Sequence, residues 1–233
     1  MIGNVVNAIS IIAGGIAGLL LRGGIPERYR ETLMQAVGLC VVLIGISSAI
    51  KTDSIMTVIL SLVAGSLIGE FIRIEARLDS LGKFIESKIS GSNSDFSKGF
   101  VQASLIFCVG SMAIVGSIES GLTGNHQTLF AKSVLDGVTT IILTSILGAG
   151  VILSSVSVFI YQSFITLLAA LIKPYMTPEV IAQMSSVGGL LIIAIGLNML
   201  EVGRIRAGNM LPAIFIPFVY ALIINITGLH ALL

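Results

Sequence analysis

Ser133 to Ile172 reads SVLDGVTTIILTSILGAGVILSSVSVFIYQSFITLLAALI, forty residues whose only charge is Asp136. As one helix it would be about 60 Å long, roughly twice the hydrocarbon thickness of a bilayer. It therefore has to turn, and Ser154, Ser155 and Ser157 offer the polar place to do so. The second half, Val158 to Ile172, then reads as a short span that crosses with little tilt or re-enters.

Six more runs carry almost no charge: Ile2–Leu21, Leu33–Ile50, Ser54–Ile72 with Glu70 near its end, Gly99–Ile118, Val180–Leu200 and Ala207–Leu229. A chain of 233 residues that is 55% hydrophobic and 11% charged cannot hide that much apolar helix in a soluble core. Each run approaches the roughly 20 residues that a span needs. The expected fold class is all-α, a polytopic integral membrane bundle of about eight transmembrane helices forming a single transmembrane domain over residues 1–233. Residues 1–72 hold three spans, 73–98 a cytoplasmic interfacial helix and linker, and 99–233 the remaining spans.

Positive charge in short loops is retained on the cytoplasmic side. With the N-terminus outside, the inner loops hold Arg22, Arg28, Arg30, Arg73, Arg77, Lys83, Lys88, Lys98, Arg204 and Arg206, ten against Lys51, Lys132 and Lys173. If the forty-residue stretch crossed only once, the bias would shrink to eight against five, so the even count fits better. In the longest loop Ile74, Leu78, Leu81, Ile85 and Ile89 form one apolar stripe. That stripe suits a helix on the cytoplasmic interface or a continuation of the third span, with Gly91 to Asp95 as a flexible link.

Several function classes find no support. The basic residues of that loop alternate with Glu75, Asp79, Glu86 and Asp95, so no nucleic-acid partner is expected. Cys40 and Cys108 lie inside spans, and His126 and His230 are unpaired in sequence. No metalloprotease pattern, nucleotide-binding loop or nucleophile set can be assembled, so neither enzyme activity nor a cofactor is expected and the metal question stays open. No basic region precedes the first apolar run, which reads as an anchor rather than a removable signal.

Gly14 with Gly18, and Gly65 with Gly69, each share a helix face and let helices approach closely, within one subunit or between subunits of a homo-oligomer. Pro212 and Pro217 follow Gly208 and Asn209 inside the last span, where they break or kink the helix. Two segments echo one another. ETLMQAVGLCVVLIG at Glu31–Gly45 and EVIAQMSSVGGLLIIAIG at Glu179–Gly196 both begin E-x-x-x-Q and contain G-x6-G, at Gly38 with Gly45 and at Gly189 with Gly196. A shorter echo links Gly3-Asn4 to Gly208-Asn209. Because the matched spans run in opposite directions, they suggest an inverted-topology repeat of the kind transporters use.

An ionisable group at membrane depth is costly and should face protein or water. Asp136 shares its helix side with Ser133, Thr139, Thr140 and, further along, Thr144. That side either lines a hydrated path or presents Asp136 as the interfacial i,i+4 partner of Lys132. Asn4, Asn7, Asn198 and Asn209 supply uncharged oxygens that bind a solute or join helices. The expected function is a membrane transporter or channel for a small ion or polar solute, cation- or proton-coupled; the alternative is a non-transporting scaffold or sensor. Its candidate site centres on Asp136, with Asn4, Asn7, Asn198 and Asn209 around one polar path and Thr140 and Glu70 beside it. The expected partners are the lipid bilayer and the transported ion or solute.

Five ordered blocks carry a family likeness: GNVVNA at Gly3–Ala8, GIPERYRETLMQAVGL at Gly24–Leu39, CVGSMAIVGSIESGLTGNH at Cys108–His126, KSVLDG at Lys132–Gly137 and GNMLPA at Gly208–Ala213. Together they resemble the YqgA/YdfK-like bacterial family, domain of unknown function 554, over essentially the whole chain. The resemblance implies a multi-pass protein of the bacterial cytoplasmic (inner) membrane and brings no activity with it.

Overall fold

The computed structural model describes residues 1–22, 27–52, 54–77, 80, 84, 95–108 and 111–227. The fold is an all-α polytopic membrane bundle. Its helices are α1 (Ile2–Arg22), α2 (Glu27–Ala49), α3 (Ile55–Ile72), α4 (Asp95–Cys108), α5 (Ser111–Leu122), α6 (Gln127–Leu147), α7 (Gly150–Leu167), the short α8 (Ala169–Ile172) and α9 (Pro178–Met199). A 3-10 segment, Ala207–Phe215, then leads into α10 (Ile216–Thr227). Among the described residues, seven of these spans are long and apolar enough to cross a membrane, counting the 3-10 segment with α10 as one.

The fourth apolar run is not one straight helix, because α4 and α5 meet at 61°. Packing shows how far the pair reaches. Gly150, at the start of α7, lies against the backbone of Phe96 at the start of α4, and Gly121, at the end of α5, lies against Thr166 near the end of α7. The bent pair therefore runs alongside a full span from end to end, and counted as one span it would bring the total to eight.

The forty-residue stretch turns at Gly148, not at the serines. Gly148 has φ +87° and ψ −164°, a combination essentially restricted to glycine. Ser154 and Ser155 are buried inside α7, and the Ser154 hydroxyl donates to the carbonyl of Val151. A serine satisfied by its own helix need not break it. The sixth span is consequently full length, starting at Gly150 rather than Val158. In the last span the prolines do break the α-helix: Pro212 lies within the 3-10 segment and Pro217 follows the first residue of α10.

The helices sort into two groups by contact. One holds α1, α4, α5, α6 and α7; the other holds α2, α3, α9, the 3-10 segment and α10. Within each group small residues set the closest approaches. Gly14 and Gly18 of α1 meet the backbones of Gly137 and Ile141 on the parallel α6. Gly65 and Gly69 of α3 meet Ala213 and Asn209 on the antiparallel 3-10 segment. Gly38 and Gly45 of α2 meet Gly196 and Gly189 on the antiparallel α9. All these stripes are consumed inside one chain. Since lipid is as apolar as leucine, such backbone approach supplies packing that hydrophobicity cannot.

Helix ends agree with the even span count. Arg22 reaches Gly148, while Arg206 pairs with Glu70 and Gly208 reaches Glu75; because α2 and α3 each span once between Arg22 and Glu70, these ends lie on one side. Lys132, counted from sequence as an outer loop charge, instead sits inside α6 and is 6% exposed. Arg73 adopts a left-handed conformation, φ 56°, that ends α3 before residues 74–77 resume a helix. The rest of the interfacial helix and the Gly91–Asp95 link lie largely outside the described residues.

Candidate functional site

Asp136 is buried near the middle of α6, and its neighbours come from two helices. The Lys132 ammonium pairs with Oδ2 from one turn earlier on α6. Asn7 Nδ2 donates to the same oxygen from α1 at 3.0 Å. Thr140, wholly buried, donates its hydroxyl to the carbonyl of Asp136, and Ser10 donates to that of Ser133 at 2.6 Å. The pair is thus i,i+4, and both side chains are below a tenth exposed. Burying two charges requires good geometry and extra hydrogen bonds, and Asn7 supplies one.

One turn earlier on α1, Asn4 extends this cluster to α7. Its Nδ2 donates to Thr166 at 3.2 Å and to Ser163 at 3.4 Å. Asn4 and Asn7 are both fully buried, yet the Oδ1 atoms of both lack a donor, and Gln162 lacks partners for either amide atom. Lys132, Gln162, Ser163 and Thr166 were not singled out as site residues from sequence. For Lys132 the available signal was its i,i+4 spacing to Asp136; for the α7 residues there was none beyond polarity.

Asn209 and Glu70 form a second cluster at the opposite end. Asn209 Oδ1 accepts the backbone N–H of Glu75 at 2.7 Å, and its Nδ2 donates to Glu70 at 2.6 Å. Arg206 donates to the other Glu70 oxygen at 2.8 Å. Glu75 accepts the N–H of Gly208, and burial pushes its carboxyl above the usual 4.5, against the lowering pull of that bond and of Arg206. Asn198 stands apart from both clusters, with its amide bonded in both directions to the backbone of Ile205. The five residues assigned to one polar path therefore do not share it: Asn4, Asn7 and Asp136 meet, while Asn209 and Asn198 fix the loop at the far end.

Two cavities follow the seam between the helix groups. The larger, about 1060 Å³, opens at the Arg206 end and is lined by Lys98, Val101, Gln102 and Leu105 of α4, by Asn198 of α9 and by the 201–208 stretch. The smaller, about 240 Å³ and nearly all apolar, shares Val101 and Leu105 and extends to Cys108, Tyr161 and Phe215. Neither cavity includes the ion pair, but Lys132 Nζ lies 5.9 Å from the centre of the ring of Phe107, the residue before Cys108.

The comparisons agree on kinship. The chain is 35% identical to the Uncharacterized membrane protein YdfK of Bacillus subtilis (strain 168), over 99% of this chain and 100% of that protein. It is 33% identical to the Uncharacterized protein YqgA of Escherichia coli (strain K12), over 93% of this chain and 94% of that protein. No solved structure matches. The family described as Protein of unknown function (DUF554) matches residues 2–222, and with those relatives this places the chain as a member of the DUF554 family, a multi-pass protein of the bacterial inner membrane.

Proposed function

We propose that the protein is a transporter of a small ion or polar solute, with no enzymatic step, and that Asp136 is its working residue. The observation that carries this reading is the seam: a wide, half-polar vestibule shares Val101 and Leu105 of α4 with an apolar pocket that extends to Cys108, and the next residue back along α4, Phe107, packs near Lys132 of the buried Lys132–Asp136 pair. A buried ion pair is weak as a stabilising device, and ionisable groups inside membrane proteins commonly mark ion pathways. An apolar constriction between wet regions gates by excluding water. The vestibule opens to the cytoplasm in the charge-bias orientation. At the other end, Thr128 donates to Glu119 at 2.7 Å and Ser120 bonds His126 at 3.0 Å, joining α5 to α6.

The inverted repeat enters this reading in reduced form. The reciprocal Gly38–Gly196 and Gly45–Gly189 contacts give α2 and α9 the antiparallel relation expected of duplicated spans. The second echo runs against it: α1 precedes α2, whereas the 3-10 segment follows α9, so one tandem duplication cannot produce both.

Flux into sealed liposomes tests the proposal. The wild-type protein should move at least one substrate of a broad ion and metabolite panel, and Asp136→Asn should abolish that flux at equal inserted protein. Absence of flux across the panel would favour the scaffold or sensor reading.

A further inference from the structure

Asn7 can face Asp136 in one way only, because an amide oxygen against a carboxylate would repel. Its NH2 donates to Oδ2, which leaves its own Oδ1 fully buried without a donor. Asn4 repeats the pattern one turn earlier. Among the described residues, Lys132 and Asn7 both bond Oδ2 of Asp136, and none bonds its other carboxylate oxygen. The unpaired atoms of α1 and Asp136 are thus all oxygens. A buried polar atom left in that state costs about 1–3 kcal/mol, which a ligand of the right chemistry would recover.

We infer that Asp136, Asn7 and Asn4 form a site for one dehydrated monovalent cation of sodium size, and that the Lys132 ammonium is its tethered competitor. This deepens the transport reading, on which it rests, by naming the ion class. One carboxylate with two neutral amides matches a single positive charge. A divalent ion asks for more carboxylates, and no group of three or more His, Cys, Asp or Glu is found among the described residues. An anion finds no free partner, since the Lys132 charge is already matched by Asp136. A bulkier solute lacks room: neither cavity includes Asn4, Asn7 or Asp136, and Leu129 fills the space against Gly3 and Gly116.

Lys132 also has somewhere to go. Its Nζ already lies 5.9 Å from the Phe107 ring, whose face attracts an ammonium. A cation arriving at Asp136 would send the lysine toward α4. Ion occupancy would thereby act on the helix that bends at the seam.

The test is thermal unfolding of the purified full-length protein in detergent, with sodium chloride exchanged for choline chloride at constant ionic strength. Sodium should raise the wild-type Tm saturably, since a ligand bound only by the folded state stabilises it. Asp136→Asn should abolish that response. Lys132→Met, which removes the competitor, should lower the half-saturating sodium concentration at least about tenfold. Should Lys132→Met fail to fold, Asn7→Ala decides, because it keeps the ion pair but loses one oxygen and should raise half-saturation about tenfold. An unchanged sodium response in Asp136→Asn, or half-saturation unmoved in the deciding variant, would overturn the inference. Saturable sodium stabilisation without liposome flux would uphold the site and remove the transport reading. Flux with no sodium response would do the reverse.

Discussion

Gly45 and Gly189 face each other's carbonyl oxygens across the α2–α9 contact: a Cβ on Gly45 would stand 2.7 Å from the oxygen of Gly189, and one on Gly189 2.6 Å from that of Gly45. Backbone, unlike a side-chain tip, cannot step aside. Gly45→Ala should therefore push the helices apart and destabilise by about 1–3 kcal/mol, the usual cost of overpacking. Ser47→Ala provides the control, since that exposed hydroxyl bonds only Leu43 of its own helix. Thermal unfolding in detergent should separate the two variants; equal melting temperatures would contradict the contact.

Asn209 and Arg206 both hold the 3-10 segment to the end of α3, yet their contributions should differ. Asn209 is buried and satisfies the backbone N–H of Glu75, so Asn209→Ala leaves that donor short and should cost about 1–3 kcal/mol. Arg206 pairs with Glu70 in water, where both side chains are more than half exposed, and Arg206→Ala should cost no more than about 1 kcal/mol. A larger loss in the arginine variant would reverse that ranking.

Glu75 adds a pH dependence of definite sign. Burial raises its carboxyl above 4.5, so the folded protein keeps this proton to a higher pH than the unfolded chain does. Stability should fall as pH rises from 4.5 through the raised value, and the loss should be complete above it. Because Glu75 is half-exposed, screening holds the effect below about 1 kcal/mol. Glu75→Gln can still accept the Gly208 N–H; it should flatten this part of the pH–stability profile and raise Tm slightly at neutral pH. A profile as steep as wild type would remove Glu75 as its source.

How much of this was legible in the sequence depends on the range of the interaction. Apolar run lengths marked the spans, because each must cross the same thickness. Pro212 marked the break in the last one, because a proline disrupts its helix wherever it lies. Asn4 and Asn7 could be placed on one face of α1 from their spacing, but the partners of that face could not. Lys132 reads both as an outer charge and as the i,i+4 neighbour of Asp136, but nothing local announces that Asn7, 125 positions away, shares that carboxylate. Asn209 and Asp136 were joined in one path because sequence does not measure the depth between two ends of a bundle.

The turn in the forty-residue stretch is the sharpest such miss. Serines attracted the break because they are polar, but the backbone needed a residue at φ +87°, and one glycine among 26 carries no mark of that. Gly148→Ala should cost about 1–3 kcal/mol through this conformation alone, since the atom nearest its new Cβ is the mobile tip of Arg22. Ser157→Ala should leave the melting temperature close to wild type. Comparable losses in the two variants would return the turn to the serines.

Whether α4 and α5 cross or re-enter is open to direct measurement. Both helices track α7, which puts Lys98 and Asn125 at opposite ends of one bent span, with Arg204 at the Lys98 end. All three side chains are exposed, so a cysteine at each position should react with a membrane-impermeant thiol reagent, after Cys40 and Cys108 are replaced. In intact cells Asn125→Cys should react from outside, whereas Lys98→Cys and Arg204→Cys should react only once the membrane is opened, as the positive-inside bias requires. Labelling of Lys98→Cys and Asn125→Cys from the same face would turn the bent pair into a re-entrant loop and reduce the crossings to seven. Labelling of Arg204→Cys alone from outside would leave the bend intact but overturn the pairing of Arg206 with Glu70, because that ion pair needs both ends on one side.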